Sequence, residues 1–250
     1  SNSVPKRSEE VSAMSNPSFK FKQFTVFHDK CAMKVGTDGV LLGAWASVEG
    51  CSQLLDVGTG SGLIALMLAQ RKRDAFITAI EIDEDACRQA TDNVNASPFS
   101  ARITVERSSF QQFTTTFRQQ YDMVVSNPPF FKKSLLPPDP GKANARHSVS
   151  LSLEELLQGA KQSLKPYGRI ALILPADRLT ELVRLTHDTS LALRRLTHVV
   201  PAPGKAVRRI LVELSPQTGE LMETELLIEV SRHHYSPEFT RLVRDFYLHL

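Results

Sequence analysis

The sequence predicts an α/β protein with one mostly parallel sheet and helices on both faces. Three observations carry this. Short β-type runs alternate with helical segments of about 10–13 residues, which is the rhythm of βαβ units. Turns rich in glycine or proline stand where strand runs end. The 42% hydrophobic and 23% charged content suits a soluble globular chain of 250 residues with a full core.

Strands are expected at 53–57, 75–81, 103–106, 122–126, 169–175 and 193–200, and helices at 61–71, 84–96, 110–119, 152–164 and 177–189. Right-handed crossovers place those helices on both faces. Residues 1–18 are Ser/Asn/Pro/Glu-rich without apolar periodicity and read as a mobile tail. Within residues 19–50, Phe19, Phe21, Thr25 and Phe27 hint at strand pairing, and Gly36-Thr37-Asp38-Gly39 opens an apolar helix at 40–45. Asp38 would either cap that helix or line a pocket. After residue 190 the rhythm changes. The runs at 208–215 and 225–230, joined by a turn at 216–219, read as an antiparallel hairpin, and a helix at 236–249 closes the chain. No repeat or linker interrupts residues 19–250, which are expected to form one domain. The stretch 131–150, with Pro137, Pro138, Pro140 and Gly141, reads as a functional or mobile loop.

Lys+Arg 30 against Asp+Glu 27 leaves +3, too little by itself to imply a polyanionic partner. No apolar run approaches the roughly 18–20 residues of a membrane span. Lys6 and Arg7 lack the apolar segment of a secretory signal. Cys31, Cys51 and Cys87 have no CxxC spacing and read as reduced thiols in a cytoplasmic protein. The histidines are scattered, with neither a metal-ligand cluster nor a Ser-His-Asp order, so no metal is expected.

Two motifs carry chemistry. Leu54-Leu55-Asp56-Val57-Gly58-Thr59-Gly60-Ser61-Gly62 runs from an apolar strand into a helix. Glycines permit the sharp turn and let a ligand lie against backbone N–H groups at the helix start. Glu81, 23 residues after Gly58, ends the next strand, where an acid can hold ribose hydroxyls. The bland alternative is a tight βα turn, but loop and acid occur together in the right order. The dinucleotide pattern GxGxxG would need glycine at 63, where Leu63 stands, which argues against a nicotinamide oxidoreductase.

The second motif, Asn127-Pro128-Pro129-Phe130, follows the strand at 122–126. Two prolines stop the strand and fix the direction of the carbonyls and the Asn amide. Such acceptors suit an amino group conjugated to a ring or a carbonyl, whose delocalised lone pair attacks a methyl poorly. The Asn127 side chain and the Pro128 carbonyl could take both N–H bonds, while Phe130 stacks on the base. A plain strand-ending turn is the alternative.

Together these residues resemble the class I S-adenosylmethionine-dependent methyltransferases. That resemblance implies a Rossmann-like, seven-stranded, mostly parallel sheet with an antiparallel C-terminal hairpin. It also implies that Asp56, Gly58, Gly60 and Gly62 meet the methionine part of the cofactor, and that Glu81, with Ile82 beside it, takes the ribose. The NPPF motif resembles that of enzymes methylating exocyclic amines or glutamine amides. The block 19–46 and the tail SPEFTRLVRDFYL narrow the resemblance to the bacterial valine-tRNA (adenine-37) N6-methyltransferase family. By that analogy Lys34, Gly36, Thr37 and Asp38 contact the cofactor's methionine end, and Asn127 faces both cofactor and target. Relatives usually carry an Asp for the cofactor adenine where Ser109 stands; a hydroxyl can replace it more weakly.

Two local charge excesses would then meet RNA. Lys132, Lys133, Lys142 and Arg146 lie in the loop beside the NPPF motif, and Lys205, Arg208 and Arg209 precede a strand. An anticodon loop suits this chemistry because its bases splay out without opening a duplex. A DNA enzyme of this kind normally carries a separate recognition domain, for which no length remains. The expected partner is therefore tRNA, with no DNA and no membrane, and the protein is expected to be a monomer. The rivals are a protein glutamine N5-methyltransferase sharing the NPPF motif and a non-catalytic RNA chaperone keeping the fold.

Overall fold

Leu54-Leu55-Asp56-Val57 and Met123-Val124-Val125 are apolar at nearly every position, as strands covered on both faces are. In the computed structural model, which describes residues 16–130 and 150–250, they lie at the centre of one eight-stranded sheet. In chain order its strands are β3 (Gln53–Val57), β4 (Phe76–Glu81), β5 (Ile103–Arg107), β6 (Tyr121–Ser126), β7 (Leu164–Pro175), β8 (Ala192–Val200), β9 (Arg209–Ser215) and β10 (Met222–Leu227). Across the sheet the order is β10-β8-β9-β7-β6-β3-β4-β5. Only β9 runs against the others, antiparallel to both β7 and β8.

Alternate residues of each strand point to opposite faces, and each face has its own core. Leu54, Val125 and Ile173 pack beneath α1 (Thr37–Trp45), α2 (Leu63–Arg71), the end of α3 (Glu84–Asn95) and α7 (Pro237–Val243). Leu55, Val124 and Leu172 pack beneath α4 (Phe110–Thr116), α5 (Leu153–Ser163) and α6 (Leu179–Thr189). Several helix starts follow from local sequence: Asp83 accepts from Ala86 N, Ser152 and Glu155 form a capping box, and Pro237 follows the Ser236 cap.

The sheet differs from the expected seven strands by an edge strand, and the expected hairpin of 208–215 with 225–230 does not form. β10 pairs parallel with β8, and the antiparallel hairpin is β8 with β9. Burial explains the exchange. After Arg209, β9 is buried throughout and takes an interior position, whereas Met222–Glu225 of β10 are exposed and suit an edge.

The last helix ends at Val243 instead of 249, because the chain turns to bury Phe246 at 2% exposure. Its carbonyl accepts from Lys22 N, and Tyr247 packs near Phe19 and Phe21. Phe19 and Phe21 belong to the N-terminal block, where β1 (Ser18–Lys20) pairs antiparallel with β2 (Thr25–Phe27). The described backbone therefore reaches into the stretch expected as a tail; residues 1–15 lie outside the described residues.

Two amides of α3 fasten this block to the sheet. Gln89 accepts from Lys30 N and donates to Asp29 Oδ1. Asn93, 2% exposed, accepts from Phe27 N at 3.0 Å and donates to Phe27 O and Ser61 O, both at 2.8 Å. Asn93→Ala would strand three backbone groups at once. The expected loss is roughly 2–4 kcal/mol, read as a lower denaturant midpoint at unchanged slope.

Candidate functional site

The chain leaves β3 outward to β4 and β5 and returns to β6 on the other side of β3, so a crevice opens at the carboxyl ends of β3 and β6. Val57 and Ser126 are register partners, and Ser126 Oγ donates to Val57 O at 2.8 Å. The glycine loop and Asn127 therefore leave the sheet side by side.

Gly58, Gly60 and Gly62 all have positive φ (70°, 56° and 87°), the left-handed conformation that glycine takes without strain. The loop is held from below: Gly58 N and Thr59 N donate to Ile80 O. Glu81 does more than end β4. Its Oε1 accepts from Gly60 N at 2.9 Å and its Oε2 from Asp83 N at 3.0 Å, so the expected ribose acid also shapes the loop.

Asp56 is 1% exposed behind this loop. Its Oδ2 accepts from Thr59 Oγ1 at 2.6 Å, while its Oδ1 is buried without a partner among the described residues. Burial pushes its carboxyl up to about 7; hydrogen bonding from Thr59 and from the Ala65 backbone opposes this, and the charge of Glu81 adds to it. The charges of Asp56 and Glu81, which act on each other, favour a ligand carrying positive charge.

A cavity of about 880 Å³ lies over the glycine loop. Of the expected residues, Lys34, Gly36, Thr37, Asp38, Gly58, Gly60 and Asn127 line it, joined by three from the expected RNA-binding group, Lys205, Arg208 and Arg209. The N-terminal block, the loop, the NPPF motif and the 201–209 connection thus meet in one place. Gly39 allows the approach: a methyl there would come within 3.0 Å of Leu63 and 3.9 Å of Asn127 Nδ2.

Several side chains have local partners that the sequence did not suggest. Asp38 does not cap α1, whose N-cap is Gly36; it accepts from Arg209 Nε at 2.9 Å. That ion pair also leaves Arg209 less free for phosphate than Lys205 or Arg208. Lys34 Nζ donates to the carbonyls of His28, Asp29 and Cys31 and so ties the N-terminal block together. Ser109 is the N-cap of α4, its Oγ accepting from Gln112 N at 3.1 Å.

Asp56, Gly62, Glu81, Ile82, Ser109 and Pro128–Phe130 are not among the residues of the cavity wall; Ile82 is exposed. Phe130 packs against the α4/α5/α6 core with the Arg178 guanidinium 5.1 Å from its ring centre. Arg178 was missed, although its place just after the carboxyl end of β7 was a usable signal. Lys132, Lys133, Lys142 and Arg146 lie outside the described residues. Among the described residues no helix is long and apolar enough to cross a membrane, and no group of three or more His, Cys, Asp and Glu could hold a metal ion.

Residues 36–182 match the family model for the methyltransferase small domain. A tRNA1(Val) (adenine(37)-N6)-methyltransferase of Parabacteroides distasonis is 50% identical over 94% of this chain and 99% of its own length. One from Bacteroides thetaiotaomicron is 48% identical over 95% of this chain and 100% of its own length. Among solved structures, a predicted O-methyltransferase of Agrobacterium tumefaciens matches with a TM-score of 0.66 at 20% identity, covering 84% of this chain and 96% of that one, a likeness of fold alone. With the glycine loop and the NPPF motif side by side at the switch point of a methyltransferase sheet, and with relatives this close along nearly the whole chain, the protein belongs to the tRNA1(Val) (adenine(37)-N6)-methyltransferase family.

Proposed function

We propose that the protein transfers a methyl group from S-adenosylmethionine to the exocyclic N6 of adenine 37 in valine tRNA. The single observation that carries this reading is the register of β3 with β6, which sets Asn127 beside the glycine loop in one cavity wall. S-adenosylmethionine, when bound, supplies an electrophilic methyl on a positively charged sulfur. The residues present fit it. Asp56, buried behind the loop, and Glu81, which holds Gly60 N, stand behind the cavity wall and give the region a negative field. Gly58, Gly60 and Gly62 keep the loop free of side chains.

At the target, the Asn127 amide oxygen and the Pro128 carbonyl accept the two N6–H bonds. That draws the nitrogen away from conjugation and turns its lone pair towards the methyl. Phe130 stacks on the base, and the Arg178 guanidinium against its ring holds that ring in place. No general base is needed, because the methylated nitrogen becomes acidic and releases its proton to water. Lys205 and Arg208 on the cavity wall suit the phosphates flanking the base, and Lys132, Lys133, Lys142 and Arg146 belong to the same reading. The protein works in the cytoplasm, where its substrate is.

Asn127→Ala is expected to lower methyl transfer at least a hundredfold while the affinity for S-adenosylmethionine, measured by calorimetry, changes little. Retained turnover would place the target amine elsewhere. A pH dependence follows from Asp56. In the free protein its carboxyl holds a proton below about pH 7, and its raised value makes stability fall as pH rises from about 4 through about 7. A bound cation favours the carboxylate, so binding expels that proton. Affinity for S-adenosylmethionine should therefore rise between about pH 5.5 and 7.5 and then level off, whereas Asp56→Asn should give a flat profile. A wild-type profile that is already flat would remove Asp56 from the binding account.

A further inference from the structure

α1 has a cavity at each end. Thr37 and Asp38 at its start line the one described above, and Ala44 and Trp45 at its end line a second, of about 710 Å³. The nine residues of the whole helix rise only about 13 Å. The wall of this second cavity carries the guanidinium groups of Arg71, Arg169, Arg194 and Arg195. Against them stand the carboxylates of Glu49 and Glu213, so positive charge is in excess.

The existing partners do not absorb that excess. Of these four arginines only Arg195 makes an ion pair among the described residues, with Glu213 Oε1 at 3.3 Å, and that oxygen also accepts from Ser47 N. The other three donate to neutral groups: Arg71 Nη1 to Gly43 O and Ala46 O, Arg169 Nη2 to Glu49 O and Cys51 Sγ, and Arg194 Nη1 to Gln217 O. Some of this closes the end of α1, whose last carbonyls need donors. One guanidinium suffices for that; four do not follow from it.

Two details are harder to explain without a ligand. Arg194 Nε is buried with no hydrogen-bond partner. Its guanidinium is held against bare backbone at Gly219, where a methyl would come within 2.4 Å of Nη2. Burial first, and then the neighbouring guanidinium of Arg195, pull Arg71 below its ordinary value, while the charges of Glu213 and Glu49 oppose the shift. An anion would offset the excess of four guanidinium groups over two carboxylates, and planar guanidinium forks match the oxygens of phosphate. Aromatic surface lies alongside: Arg195 stacks on Trp45 at 3.8 Å, and Tyr167 on the wall is 84% exposed.

We propose that this arginine-lined cavity is a phosphate-binding site, distinct from the cofactor cavity and reached by either a small phosphate ester or an RNA backbone phosphate. The proposal does not depend on the methyl-transfer reading. Trp45 is the chain's one tryptophan, so its emission reports on this cavity. The intact protein would be titrated with inorganic pyrophosphate at ionic strength held constant with potassium chloride. The expected result is a saturable change in Trp45 emission. The double variant Arg169→Gln/Arg194→Gln should weaken it at least tenfold while affinity for S-adenosylmethionine stays unchanged. Should the double variant lose cofactor binding, Arg169→Gln alone, which leaves Arg194 against Gly219, should weaken it several-fold. An added anticodon stem-loop RNA that displaces pyrophosphate identifies the backbone as the source; RNA binding without displacement identifies a small ester. Calorimetry of wild type against variant reads the same site if emission is silent. Equal binding by wild type and an intact variant, or no saturable signal by either method, overturns the proposal.

Discussion

The site depends on one pairing, β3 against β6. Their register sets Val57 opposite Ser126, and the Ser126 hydroxyl closes on the Val57 carbonyl at 2.8 Å. The residues that follow on each strand are the glycine loop and Asn127. A slip of one residue would turn the buried side chains of the slipped strand to the opposite face, so the two cores enforce the register that the chemistry needs. Leu54 with Val125 on one side, and Leu55 with Val124 on the other, are therefore packing residues and site-positioning residues at once.

Around that pairing, other parts of the chain close the cavity through polar contacts. Glu81 braces the loop through Gly60, and Asn93 ties the loop to β2. The Asp38–Arg209 pair joins the start of α1 to the start of β9 across 171 positions of sequence. α1 is held at its far end as well: Trp45 Nε1 donates to Thr197 Oγ1, and Arg195 covers the indole. α1 thus runs from the cofactor cavity to the arginine cluster, held by polar contacts at both ends.

What was legible in the sequence was local. The alternation of strand and helix, the glycine loop with its acid, and the Asn-Pro-Pro-Phe turn each announce themselves within a few residues, and the methyltransferase sheet follows from them. Long-range pairing was not legible. Nothing near residues 208–215 says that this strand inserts between β7 and β8; only its complete burial against the exposed side chains of Met222–Glu225 decides it. Nor could the last helix be bounded at Val243 without knowing that Phe246 packs on the N-terminal block. Asp38 and Arg209 each suggest a separate role from their local sequence, and a pattern read along the chain has no means of joining them. The second cavity was invisible for the same reason, since its arginines come from three different strands or helices.

Methyl transfer to adenine N6 in tRNA is tested most directly by incubating the protein with labelled S-adenosylmethionine and total tRNA lacking the modification, then digesting and mapping the nucleosides. Label should appear as N6-methyladenosine at position 37 of valine tRNA. Label in protein glutamine instead, or tRNA that stays unmethylated, would contradict the assignment.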